Sequence, residues 1–190
     1  MVKSALVTQE MLGDTFIVRM NSVSITEEFL DALNSTLDDI EFLRKYNNIN
    51  GSLKSIIFIS SVDNIFLAGA DLKLMYKSLG NEKALSALIQ RGHDTFNRIA
   101  KIDVPTIAAI NGACLGGGYE LALACDYRIA TNNKSTKIGL PEVNLGILPA
   151  WGGTTRLPRL IGVVNALKVI LGGAQNPSKY AKKLGLVDNV

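Results

Sequence analysis

The sequence predicts an α/β domain. Three observations predict it: short β-branched apolar runs of strand length, two longer segments with apolar residues at helical spacing, and the alternation of the two along the chain. The chain has 190 residues, enough for one domain with a core of its own. Composition supports a folded chain, with 47% hydrophobic and 19% charged residues.

The runs Ala5–Gln9 and Phe16–Met20 flank Gly13-Asp14 and read as a hairpin. A helix comes next, with Ser24 and Glu27 as a capping box and Phe29, Leu33, Leu37 and Ile40 on one face. The polar stretch Asn47–Gly51 ends it. Lys54–Ser60 is continuous and β-branched, as expected of a strand buried on both faces. A second amphipathic helix is expected over Asn81–Ala100, with Leu85, Leu88, Ile89, Gly92, Phe96 and Ile99 as its stripe. Pro105 opens a buried strand, TIAAI, that leads into NGACLGGGYELALAC.

Several function classes are excluded by inventory. The net charge of +3 is spread without a basic block, which leaves no electrostatic footprint for nucleic acid or a membrane surface. Cys114, Cys125 and a single histidine cannot build a zinc site of the usual Cys/His kind. Both thiols read as small buried hydrophobes in a reducing compartment. The most apolar stretch, Val104–Cys125, contains Pro105, Asn111 and Glu120, so it reads as strand, turn and helix, not as a membrane span. No targeting signal is visible in MVKSALVTQEMLGD, and the cytoplasm is the expected compartment for a bacterial protein.

Chemistry concentrates in three segments: Phe66–Leu72, Asn111–Glu120, and Ile138–Glu142 with Leu145–Gly153. Gly116-Gly117-Gly118 joins a strand to a helix, where unpaired backbone N–H groups suit an anion or a developing oxyanion. A tight packing turn explains the same glycines, and spacing alone leaves both open. The spacing matches neither the dinucleotide fingerprint nor the phosphate loop. Glu120 lies in the first turn of that helix within an apolar run, and Glu142 follows Pro141 among apolar neighbours. A pair of such carboxylates suits general acid–base work, although sequence does not show that they meet. His93 reads as a half-buried structural histidine, and Asp71 and Asp126 as local hydrogen-bond anchors.

Together, FLAGADLK, INGACLGGGYELALACDYRIAT and IGLPEVNLGILPAWGGTTRLPRLIG resemble the crotonase superfamily, the enoyl-CoA hydratase/isomerase family. CDYRIAT and IGLPEVNLGILP are most similar to the N-terminal hydratase region of multifunctional fatty-acid β-oxidation proteins. The resemblance implies a ClpP-like spiral of ββα units. It also implies one domain over residues 1–190 that ends where the family has helices still to come.

Carried over residue by residue, the resemblance assigns the oxyanion hole to the N–H groups of Ala70 and Gly117. Acid–base work falls to Glu120 and Glu142. Ala68, Gly69, Asp71, Gly116, Gly118 and Pro141 fall at the substrate. The implied reaction is reversible hydration of 2-enoyl-CoA. Alternatives are isomerisation of 3-enoyl-CoA or an acyl-CoA-binding scaffold without turnover. The coenzyme A thioester is substrate, no cofactor is expected, and no NAD site lies within the chain. A trimer-type homo-oligomer or a place in a larger multifunctional chain follows from the same resemblance. NSVSITEEF departs from the family wording, so coenzyme A contacts near Ser22–Ile25 are not carried over. Lys73 is a candidate for the coenzyme A end, with an exposed helix lysine as the favoured reading.

Overall fold

A computed structural model describes residues 5–47, 53–71, 73, 76 and 80–190. The hairpin forms as expected. β1 (Val7–Leu12) pairs antiparallel with β2 (Thr15–Met20) around Gly13-Asp14, and both strands run longer than the apolar residues alone indicate. α1 (Glu27–Asn47) buries Phe29, Leu33, Leu37 and Ile40.

Its cap differs from the expectation. Phe29 N–H donates to Thr26 Oγ1 at 3.1 Å, which makes Thr26 the cap, not Ser24. The reason is tertiary. Ile25 is held extended in a parallel bridge to Ala70, so the chain cannot turn into a helix before Thr26. The polar stretch after α1 lies largely outside the described residues.

Beyond α1 the chain spirals. β3 (Ser55–Ser60) joins the first sheet and β4 (Ile65–Leu67) a second, before α2 (Glu82–Ile99). The pattern repeats with β5 (Thr106–Ile110), β6 (Ala113–Leu115) and α3 (Gly117–Ala124), then with β7 (Tyr127–Ala130) and β8 (Lys137–Gly139). One sheet has the order β1-β2-β3-β5-β7. The other has the order β4-β6-β8-β9, where β9 is Asn176–Pro177. Strands contributed by successive turns pair in parallel, as helical crossovers require. This is the α/β spiral of ββα units that the resemblance implies.

β3 is buried on one face only, which corrects the expectation of two. Ile56, Phe58 and Ser60 point inward, and Ile57 and Ile59 are half-buried. Its paired neighbours continue the outer face through Ile107 and Ala109 to Tyr127 and Ile129, which are exposed. The described helices therefore leave this side open.

Other expectations hold. Asn81 caps α2 by accepting from Ala84 N–H at 3.1 Å. Asp126 Oδ2 anchors β5, accepting from Thr106 N–H and Oγ1 at 2.8 Å each. Cys114 and Cys125 are buried free thiols. The chain continues through a 3₁₀ turn (Glu142–Leu145), α4 (Gly153–Ile161), α5 (Val163–Gly172) and α6 (Ser178–Lys183). Among the described residues, no helix is long and apolar enough to cross a membrane.

Candidate active site

The spiral brings the ends of β4, β6 and β8 side by side, and the chain leaves each of them through one of the singled-out segments. After β4, residues 68–71 lie against the segment before α1. Ala68 N–H donates to Val23 C=O at 2.8 Å, Ile25 N–H to Gly69 C=O at 2.8 Å, and Asp71 N–H to Ile25 C=O at 3.0 Å. In a parallel bridge successive residues face opposite ways, so using Gly69 C=O and Asp71 N–H turns the Ala70 N–H away from Ile25. The unusual NSVSI segment thus has a structural role, which is to hold this turn.

After β6, α3 begins at Gly117, so the Gly117 N–H has no acceptor within its own helix. Gly116 must be glycine for two reasons. Its φ is +53°, and a Cβ would lie 2.9 Å from Glu142 Oε1. Gly118 packs directly on Leu67, where a Cβ would overlap the Leu67 carbonyl. Tight packing and an N-terminal donor site, left open as alternatives by the sequence, are both present, one glycine apart.

A cavity of about 540 Å³ opens here. It is lined by Ala68, Gly69, Ala70, Gly116, Gly117, Glu120, Pro141 and Glu142, all singled out from sequence. Asp71 and Gly118 do not line it. Asp71 instead accepts the Lys73 N–H at 2.7 Å, a local turn anchor. Lys73 is exposed. His93 is half-buried and faces Asn97, as a structural histidine should. Sequence reasoning singled out the segment Leu145–Gly153 but not that Leu145, Leu148 and Trp151 form an apolar wall, which α2 completes with Leu85, Leu88 and Ile89. The signal for the α2 side was its stripe, because Leu85 and Ile89 belong to it yet are not buried in the core.

The two carboxylates sit in different settings. Glu120 is 2% exposed, and its Oε1 accepts from Trp151 N–H at 2.8 Å and Gly153 N–H at 2.7 Å. Burial is the largest influence and pushes its pKa up to about 7, with the charge of Glu142 adding to the rise. The Gly153 and Trp151 N–H groups and the Arg156 charge pull the other way. Glu142 is buried too, and burial raises its pKa. Its Oε2 has no hydrogen-bond partner, so one carboxylate oxygen of the wall is open to a molecule entering the cavity. Among the described residues no cluster of three His, Cys, Asp or Glu side chains is placed to hold a metal ion.

Such an arrangement offers two N–H donors at a helix start and a turn, two proton-handling carboxylates, and an apolar enclosure. Comparison with known proteins shows the family of the chain. Residues 20–190 match the family model described as enoyl-CoA hydratase/isomerase. The fatty acid oxidation complex subunit alpha of Shewanella frigidimarina is 41% identical over 186 residues, covering 98% of this chain. The match spans only 24% of that relative's length.

Among solved structures, an enoyl-CoA hydratase from Bacillus anthracis superposes with a TM-score of 0.85 at 34% identity, covering 97% of this chain and 69% of that one. One from Thermoplasma volcanium gives 0.87 at 30% identity, covering 99% and 72%. With the family model matching nearly the whole chain and the fold shared, the chain belongs to the enoyl-CoA hydratase/isomerase family.

Proposed function

We propose that this chain catalyses the reversible hydration of 2-enoyl-CoA thioesters to 3-hydroxyacyl-CoA within fatty-acid oxidation. The observation that carries the reading is the convergence of Glu120, Glu142, Ala70 and Gly117 on one largely apolar cavity. In this reading the thioester oxygen lies between the Ala70 and Gly117 N–H groups. Water attacks C3, the C2=C3 electron pair moves toward the thioester, and the oxygen gains enolate charge. Fixed donors in a water-poor site stabilise that charge by about 3–4 kcal/mol each.

One carboxylate takes the water proton and the other delivers a proton to C2; dehydration exchanges these duties. A pKa of about 7 suits Glu120 to either role near neutral pH. The apolar wall supports an acyl substituent as the occupant, with coenzyme A as part of the substrate and not a resident cofactor. The name of the Shewanella relative supports a place in fatty-acid oxidation, and a longer multifunctional protein as the setting.

The test is hydration of crotonyl-CoA by the purified chain beside Glu142→Gln. Turnover in the parent and a loss of about 10²–10⁴-fold in the variant are expected for a general acid–base group. Near-normal hydration by Glu142→Gln would overturn the two-acid assignment. Acyl-CoA binding without turnover in the parent would replace the hydratase with a scaffold.

A further inference from the structure

The turn that orients Glu120 is itself held from outside the cavity. Trp151 and Gly153 give their N–H groups to Glu120 Oε1, and the Trp151 carbonyl accepts from Arg156 Nη1 at 2.9 Å. Arg156 Nη2 continues to Asn97 Oδ1 on α2 at 2.6 Å. A guanidinium only donates, so the Asn97 atom facing it is the amide oxygen. Asn97 Nδ2 therefore donates to His93 Nδ1 at 2.9 Å, which makes that ring nitrogen an acceptor. A continuous path of polar contacts thus runs from α2 through α4 to the carboxylate.

Arg156 occupies an unfavourable place for a cation. It lies near the N-terminal end of α4, where the helix dipole favours negative charge. It is half-buried, and burial together with Arg159 lowers its pKa. The attraction of Glu120 opposes both effects, with a smaller contribution from Cys125. Gly152 gives way to it, since a Cβ there would collide with Nη1. Arg156 does not line the cavity, so contact with substrate does not explain its position.

We propose that Arg156, anchored by Asn97, is a positioning residue: it pins the Trp151–Gly153 turn against Glu120 and offsets the repulsion between Glu120 and Glu142. The proposal rests on the reading of Glu120 as a proton-transfer group in hydration. The groups acting on Glu120 come from three sides. Glu142 on the 3₁₀ turn raises its pKa, Arg156 on α4 lowers it, and the two N–H donors of the turn lower it as well. Removing Arg156 takes away one charge directly and loosens both donors.

The test compares Arg156→Gln, Arg156→Lys, Asn97→Ala and Arg159→Gln in the full chain. Two readouts are needed: the pH profile of kcat for crotonyl-CoA hydration, and titration of the Glu120 carboxyl by ¹³C NMR, assigned with Glu120→Gln. Arg156→Gln is expected to move the Glu120 midpoint upward by about one pH unit, as for loss of a nearby opposite charge. Its kcat should fall about tenfold or more with a smaller change in KM.

Arg156→Lys keeps the charge and should return the midpoint most of the way. Asn97→Ala should shift it in the same direction by less. Arg159→Gln removes a neighbouring charge that does not touch the turn, and should leave the midpoint in place. An unchanged midpoint in Arg156→Gln, or equal shifts in Arg156→Gln and Arg159→Gln, would overturn the proposal. Should Arg156→Gln not fold, Asn97→Ala carries the decision, and an unchanged midpoint there overturns the proposal. A parent chain that does not hydrate crotonyl-CoA overturns the hydratase reading, whereas the carboxyl titration still decides the link between Arg156 and Glu120.

Discussion

In the proposed hydration, the proton of Glu120 links turnover to stability. Its folded pKa of about 7 lies above the ordinary 4.5, so the folded chain holds the proton more tightly than the unfolded chain. The resulting stability is fully present below about pH 4.5 and is lost as the pH rises through about 7. The full span corresponds to roughly 3 kcal/mol. Glu120→Gln removes the titration and keeps an amide oxygen to accept the Trp151 and Gly153 N–H groups. We expect the variant to gain about 2–3 kcal/mol over the parent near pH 8 and much less near pH 4.5, measured by urea unfolding. We also expect it to lose about 10²–10⁴-fold in turnover. Equal stability differences at both pH values would show that the carboxyl does not titrate where its burial places it.

Among the elements, the wall of the site depends on how α2 meets the turn before α4. The Trp151 ring lies over Gly92, where a Cβ would collide with the indole, and meets Phe96 edge-on at 5.7 Å between ring centroids. Gly92→Ala is expected to destabilise by about 1–3 kcal/mol through overpacking. Combined with Trp151→Leu, the two losses should sum to less than their separate costs, because the smaller side chain relieves the clash. Strict additivity in a thermal or urea double-mutant cycle would mean that the contact is not what Gly92 serves. Gly92 was legible as a member of the α2 stripe. Its partner was not, because the contact joins residues far apart in the chain. The cap of α1 shows the same divide: Ser24 and Glu27 have the right spacing, but the bridge from Ile25 to Ala70 moves the helix start to Thr26.

Across the molecule, the last described residues are tied back to the centre of the spiral. Tyr119 on α3 donates its hydroxyl to Leu186 C=O at 2.8 Å, and buried Arg128 on β7 pairs with Asp188 at 2.8 Å. Arg128 also donates to the Cys125 and Asp126 carbonyls. Asp188 is itself exposed, and those carbonyls remain to Arg128, so Asp188→Ala should cost about 1–2 kcal/mol, as for loss of a hydrogen bond to a charged group. A Tm equal to that of the parent would show that the pair contributes nothing net. On α5, Val163, Val164, Leu167 and Leu171 are all exposed large apolar side chains. A contiguous apolar helix face favours association. Leu167→Glu is therefore expected to shift sedimentation toward the monomer at a concentration where the parent associates.

The alternation of strands and helices, the hairpin at Gly13-Asp14, the stripe of α2 and the segments that carry the chemistry were all legible in the chain alone. These are properties of period and local residue chemistry, set within a few residues of each position. The wording of the Ala70, Gly117, Glu120 and Glu142 segments also carried the family resemblance. Folding was needed to bring the two carboxylates to one cavity, to make Gly118 a packing residue beside the donor of Gly117, and to set NSVSI against the Ala70 turn. The reach of Arg156 to Glu120 through the Trp151 backbone is of the same kind. Each of these depends on segments separated in the chain meeting across two sheets, and burial, donor direction and pKa exist only once that meeting has taken place.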